Sequence, residues 1–274
     1  MTFDIDNYSP IKQKHIIYND SDNGRTYTVD IGNDSVIDLK SVTTFMDVLQ
    51  KPALVPWAYN VGVKETFEVM RDLEEPFLSP EEVKQYLKER ERDINAQKNK
   101  GGTRGTAVHH YLECEIKGIE YDVDPAYTGY WDQVRRFLDD YQPEFYATEI
   151  AVVSLEHEYA GRLDNLCKIT AHPPRRRHRS LVGESGVMDL KSNKEGSVYP
   201  RAHLPQVDAY THGVEAMTIG SQLPFDLSFA LVVAVGQKRY TPCVSYANLN
   251  TFLAVKNAYD ALNTMERANP NGRK

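Results

Sequence analysis

Residues 227–235 read Leu-Ser-Phe-Ala-Leu-Val-Val-Ala-Val, an apolar run without one charged side chain. A run this short and this rich in valine is a strand, and a strand with no polar alternation is covered on both faces. Helices are the usual cover for a sheet buried on both sides, so this stretch points to the α/β class. Tyr240–Tyr246 pairs with it through a Gly236-Gln237-Lys238 turn.

The rest of the chain supplies the other layers. Glu149–Leu155, Arg162–Ile169 and Val187–Lys191 are short apolar runs that read as strands. Pro200–Ile219 and Asn250–Met265 have helical spacing, as does Pro125–Tyr141 with Tyr130, Val134, Phe137 and Leu138 on one face. Further upstream, Ser41–Leu54 carries Val42, Phe45, Val48 and Leu49 at helical intervals behind a Ser41 cap. Ser79-Pro80-Glu81-Glu82 is a helix start, with a cap, Pro at the first position and acids in the first turn. That helix is expected to run toward Lys98, to be broken by Lys100-Gly101-Gly102, and to be followed by another from Thr103 or Thr106 to about Lys117. His15–Asp38 reads as a β-hairpin with a polar Asp20–Gly24 turn and a following strand. We take residues 1–40 as a small β-hairpin appendage and 41–274 as the main α/β domain.

The 274 residues suffice for one substantial core, and 41% hydrophobic with 26% charged residues is ordinary for a globular chain. No run approaches the roughly 20 apolar residues that span a bilayer, so no membrane association is expected. Met1–Asp6 is acidic and has no apolar signal segment. The three cysteines, Cys114, Cys167 and Cys243, are far apart and make no disulfide framework, which suits reduced thiols in a cytoplasmic compartment. A net charge of −7 argues against a nucleic-acid coat protein but not against an acidic metal site that acts on nucleic acid.

Four elements occur in an informative order: Gly105-Thr106-Ala107-Val108-His109 with Glu113 one turn on, Gly161-Arg162-Leu163-Asp164, Asp189-Leu190-Lys191, and Gln206-Val207-Asp208-Ala209-Tyr210. Phosphodiester hydrolysis wants a hard cation to polarise the phosphate and activate water, and Mg²⁺ or Mn²⁺ is held by oxygen ligands with few protein carboxylates. Asp164 and Asp189 would supply carboxylates, and His109 a further ligand. Asp189 and Lys191 share a strand face, so Lys191 can orient the nucleophile or stabilise the developing charge. Gln206 and Tyr210, four apart on a helix, share a face and can hold a phosphate or stack on a base.

Singly these signals are weak, since a DxK triplet arises by chance about once in a chain this long. Asp38-Leu39-Lys40 repeats the later Asp-Leu-Lys, and Gln142–Tyr146 is a second QxxxY. Only the later copies stand in the order strand, strand, helix. Each residue also has a plainer reading: His109 as a core histidine, Asp164 as a turn residue, Asp189 and Lys191 as a surface pair, Tyr210 as core packing. Glu113 either supports its helix, orients His109 or ligates. Arg175-Arg176-Arg177-His178-Arg179, between the strands bearing Asp164 and Asp189, is either a solvated loop or a contact to DNA phosphates, the reading preferred here. Lys98, Lys100 and Arg104 are weaker candidates for the same task.

The ordered set resembles the RecB-type exonuclease branch of the PD-(D/E)XK nucleases, which includes CRISPR-adaptation and phage exonucleases. The resemblance covers residues 25–265 and extends to Tyr27 and Ser41-Val42-Thr43-Thr44 near the front. It implies a central mixed β-sheet flanked by helices and a Mg²⁺- or Mn²⁺-dependent DNA exonuclease. It also implies metal ligation by His109, Asp164, Asp189 and the Leu190 carbonyl, catalysis by Lys191, and substrate positioning by Gln206 and Tyr210, with Glu149 as a secondary acidic position. Some relatives hold an iron–sulfur cluster on four cysteines; with three dispersed cysteines no cluster is expected here. An endonuclease on the same fold and an inactive or partner-dependent DNA-binding protein are the rival expectations. Without a Walker motif any helicase or recombination partner is a separate chain, and an oligomer is compatible with the sequence.

Overall fold

The computed structural model describes residues 3–21, 24–49, 54–72, 79–173, 179–246 and 248–268. The chain divides into two compact units, residues 1–49 with 109–274, and residues 50–108.

The larger unit is built on a mixed sheet of eight strands. These are β1 (Ile16–Ser21), β2 (Gly24–Gly32), β3 (Ser35–Ser41), β4 (Pro143–Ser154), β5 (Tyr159–Ile169), β6 (Ser185–Ser192), β7 (Leu227–Val235) and β8 (Tyr240–Ser245). Their order is β1-β2-β3-β5-β6-β7-β8, with β4 on the other edge of β5. β3–β5 and β6–β7 are parallel and the remaining pairs antiparallel. β7 is the strand expected from its apolar run, buried from Phe229 to Val235.

The helices of this unit are α1 (Val42–Met46), the end of α4 (Ile94–Lys117) from His109 on, α5 (Thr128–Tyr141), α6 (Pro200–Met217) and α7 (Leu249–Ala268). Residues an odd number apart on a strand face opposite ways. Tyr240 of β8 meets Phe137 of α5, while Ser245 of β8 bonds Asp208 of α6, so α5 and α6 cover opposite faces of β8. The core joins α1 and α7 through Phe45 and Phe252 and reaches β5 through Tyr159.

Residues 1–40 are not an appendage. Tyr27, Val29 and Leu39 are core side chains, and β3 joins β5 through Lys40↔Tyr159 and Ser41↔Ala160. The hairpin looked peripheral because β1 is exposed, but β2 alternates buried and half-buried positions and belongs to the main sheet. Ser41 does cap a helix, accepting the Thr44 N–H, but α1 ends at Met46.

The smaller unit holds α2 (Leu54–Asp72), α3 (Pro80–Glu89) and the first part of α4 (Ile94–Lys117). Ser79 and Glu82 form the expected reciprocal capping box. α3 stops at Glu89, where Glu91 turns to a positive φ of 51°. Asp93 then accepts the Ala96 N–H and α4 begins. Gly101-Gly102 does not break a helix but lies inside α4, so the expected start at Thr103 or Thr106 falls mid-helix. Arg92 ties this turn to α2 through Glu65 at 2.6 Å and Glu68 at 2.5 Å.

Candidate active site

β5 and β6 pair from Lys168↔Ser185 to Asn165↔Met188, and there the ladder ends. The next residue on each strand is a carboxylate, Asp164 on β5 and Asp189 on β6. On the other edge of β5, the pairs Thr148↔Asn165 and Ile150↔Leu163 bracket Glu149 and set it level with Asp164. Glu149, Asp164 and Asp189 thus form a row across three adjacent strands at the fork. Neighbours in such a row have Cβ atoms about 5 Å apart, and like charges there repel. Side-chain exposure falls along it, from 26% at Glu149 to 15% at Asp164 and 0% at Asp189. Glu149 also has φ +55°, the left-handed region that costs a non-glycine residue about 1–3 kcal/mol and recurs at functional sites.

The fork leaves main-chain groups of Leu190 to be satisfied by side chains. Its N–H donates to Asp164 Oδ2 at 2.8 Å, and its carbonyl lies 2.7 Å from His109 Nε2. A carbonyl can only accept, so Nε2 carries the proton, and Nδ1 lies 3.5 Å from Asp164 Oδ2. Lone pairs of the two atoms meet there, an arrangement that a shared cation would satisfy. His109, Glu149 and Asp164 can each offer a ligand atom within 4.8 Å of the others'.

Lys191 donates to Asp189 Oδ1 at 2.9 Å. Oδ2 also lies 2.9 Å from the ammonium, yet no hydrogen bond is directed at it among the described residues, although it is fully buried. Burial pushes the Asp189 carboxyl up to about 6; Lys191 works against this and Asp164 adds to it. For Lys191 burial opposes the charged form, but Asp189 and Asp164 outweigh it and raise the pKa, so the ammonium persists. Glu149 is raised by burial and then by Asp164, while Arg162 and His109 pull it down. An imidazole nitrogen, two converging carboxylates and a buried carboxylate next in the row form a donor set that fits a divalent cation preferring oxygen.

α6 brings Gln206 and Tyr210 to the same part of the sheet. A Cβ on Gly161 would lie 2.5 Å from Tyr210 Cε1, and one on Gly213 would lie 2.8 Å from Val152 Cγ2. These two glycines let the helix sit close on β4 and β5. Tyr210 is 3% exposed, which leaves no ring face for a base to stack on. Its hydroxyl accepts from Gln206 Nε2 at 3.0 Å, and burial, followed by the Asp189 charge, raises its pKa well above the usual phenol value. Tyr210 therefore orients Gln206, which is half-buried and is the one of the two able to reach a ligand.

The other candidates separate. Glu113 is bound by Lys117, which holds its carboxyl below the usual range, and it does not join the His109 group. Arg104 lies on α4 in the smaller unit. Arg175, Arg176 and Arg177 lie outside the described residues. Arg179 makes a two-pronged pair with Glu184 and stacks on Tyr246. The early duplicates are structural: Asp38 accepts from Thr28, Lys40 meets Tyr259, Gln142 caps α5 with φ 44°, and Tyr146 stacks on Phe225. Arg162, which the sequence reading passed over, pairs with Glu149: its Nε lies 3.0 Å from Oε2 and donates to the Glu149 carbonyl at 3.2 Å.

No protein-family model and no curated protein matches the chain.

Proposed function

We propose that this chain is a Mg²⁺- or Mn²⁺-dependent deoxyribonuclease of the PD-(D/E)XK kind, acting as an exonuclease on DNA ends. The observation that carries the reading is the Glu149–Asp164–Asp189 row at the strand fork, with Lys191 bonded to its most buried member. The sheet, mixed and flanked by helices, has the layers such a nuclease needs. Exonuclease rather than endonuclease action rests on the motif resemblance alone.

His109, Asp164 and Glu149 would hold the cation, with Asp189 next in the row, while the Leu190 carbonyl accepts the His109 Nε2–H on the far side of the ring. A bound cation of this kind supplies Lewis acidity to the scissile phosphate and the attacking water. Lys191 has N–H donors beyond the one given to Asp189 Oδ1, and these orient the water and stabilise charge on the phosphate oxygens as the P–O bond breaks. His109 keeps its proton on Nε2 while Leu190 accepts it, which leaves Nδ1 as the ligand atom. Gln206, held by Tyr210, positions a phosphate. DNA is the partner; a helicase or recombination protein would act as a separate chain. Among the described residues no helix is long and apolar enough to cross a membrane.

The test is end-labelled linear DNA, single- and double-stranded, beside closed circles, each with Mg²⁺, Mn²⁺ or EDTA and with Lys191→Ala as control. Metal-dependent shortening of linear DNA that spares circles and fails in the variant is expected. Cut circles would replace the exonuclease by an endonuclease. DNA binding without cleavage of any substrate would leave an inactive or partner-dependent binder.

A further inference from the structure

Arg162 stands two residues before Asp164 on β5 and therefore on the same face of the sheet. Its Nε donates to the Glu149 carbonyl at 3.2 Å and lies 3.0 Å from Glu149 Oε2 in an ion pair. The two terminal nitrogens have no hydrogen-bond partner among the described residues, and the side chain is 57% exposed. Glu149 thus faces two claimants, this guanidinium and the cation that His109 and Asp164 would share with it. A cation on the same carboxylate would bring a second positive charge close to the guanidinium and weaken its hold on Glu149.

A displaced Arg162 has nowhere obvious to go within the protein. Glu113 is already bound by Lys117. The nearby hydroxyls of Tyr18 and Tyr27 belong to neutral phenols, with Tyr27 pushed up to about 12 by burial. A planar fork of free N–H donors beside an acidic metal row matches one ligand chemistry well, the paired oxygens of a phosphodiester.

We infer that Arg162 is both a placeholder for the cation and a phosphate clamp. It neutralises Glu149 until the cation enters, yields the carboxylate to it, and turns its N–H fork to the DNA phosphate. Metal entry and substrate capture are thereby coupled through one side chain. This rests on the nuclease reading of the same site.

The test is calorimetric titration of Mn²⁺, without DNA, into the wild-type chain, Arg162→Gln and Arg162→Lys, followed by fluorescence anisotropy of a short duplex in Ca²⁺. Removing the competing charge should tighten Mn²⁺ binding about fivefold or more in Arg162→Gln, while Arg162→Lys stays near wild type. Both variants should lose about tenfold in duplex affinity, since lysine keeps the charge but not the fork. Unchanged or weaker Mn²⁺ binding by Arg162→Gln, or unchanged duplex affinity in both variants, overturns the inference and leaves the nuclease reading standing. No Mn²⁺ uptake by the wild type overturns the two together.

Discussion

With Asp189 fully buried and Lys191 its hydrogen-bonding counter-ion, Lys191→Ala has two effects that can be measured apart. Loss of a preorganised donor at the reacting phosphate lowers kcat by about 10²–10³ with little change in KM for DNA, read by steady-state kinetics. Loss of the counter-ion strands a buried carboxylate and lowers the melting temperature. Asp208, buried behind Ser245 on α6, gives a pH-dependent prediction away from the site. Burial raises its carboxyl above the ordinary 3.8, so the folded chain holds that proton more tightly than the unfolded one. Its stabilising contribution is complete below about pH 3.8 and is lost as pH rises through the raised value. The melting temperature of Asp208→Asn relative to wild type should therefore climb from pH 4 to pH 8; a flat difference would contradict the assignment. At this scale His109, Asp164, Asp189 and Lys191 were legible because their order along the chain carries the information. Glu149 was undervalued because β4 starts at Pro143, six residues before the expected strand, so its register against Asp164 was hidden. Its positive φ runs against the intrinsic preference of glutamate and has no sequence signal.

Among the elements, those with one dominant local signal were legible. β7 has the bounds its apolar run dictates, and α3 starts at its capping box. Where local preference and context conflict, the sequence misled. Gly101-Gly102 marks a break by propensity, yet α4 carries straight through it. Ala at these positions should then raise stability by about 0.5–1 kcal/mol each, because a Cβ on Gly102 meets nothing within 4 Å and one on Gly101 only Arg104 Nη2 at 3.7 Å. Chemical denaturation of the double variant checks this; destabilisation would restore the break. The fork itself was not legible, since it depends on where β5 and β6 stop pairing, a property of two strands together.

For the whole molecule, eight strands in one sheet with helices on both faces follow from the alternation of apolar runs and helical spacing, but the membership of β1–β3 does not. A parallel contact of two residue pairs between β3 and β5 leaves almost no trace in sequence, and the division into units falls at residues 50 and 109 rather than 40. The carboxylate row lies where β4, β5 and β6 meet, and its meaning depends on whether a cation there drives chemistry on DNA. The most direct measurement is the initial rate of cleavage of end-labelled linear duplex in Mn²⁺ by the wild type and by Asp164→Asn. The asparagine keeps an acceptor for the Leu190 N–H, so the fork holds, but the central charge of the row is gone. The account predicts cleavage by the wild type that stops in EDTA and falls by about 10² or more in the variant. Equal rates from the two proteins, or cleavage that survives EDTA, would contradict it.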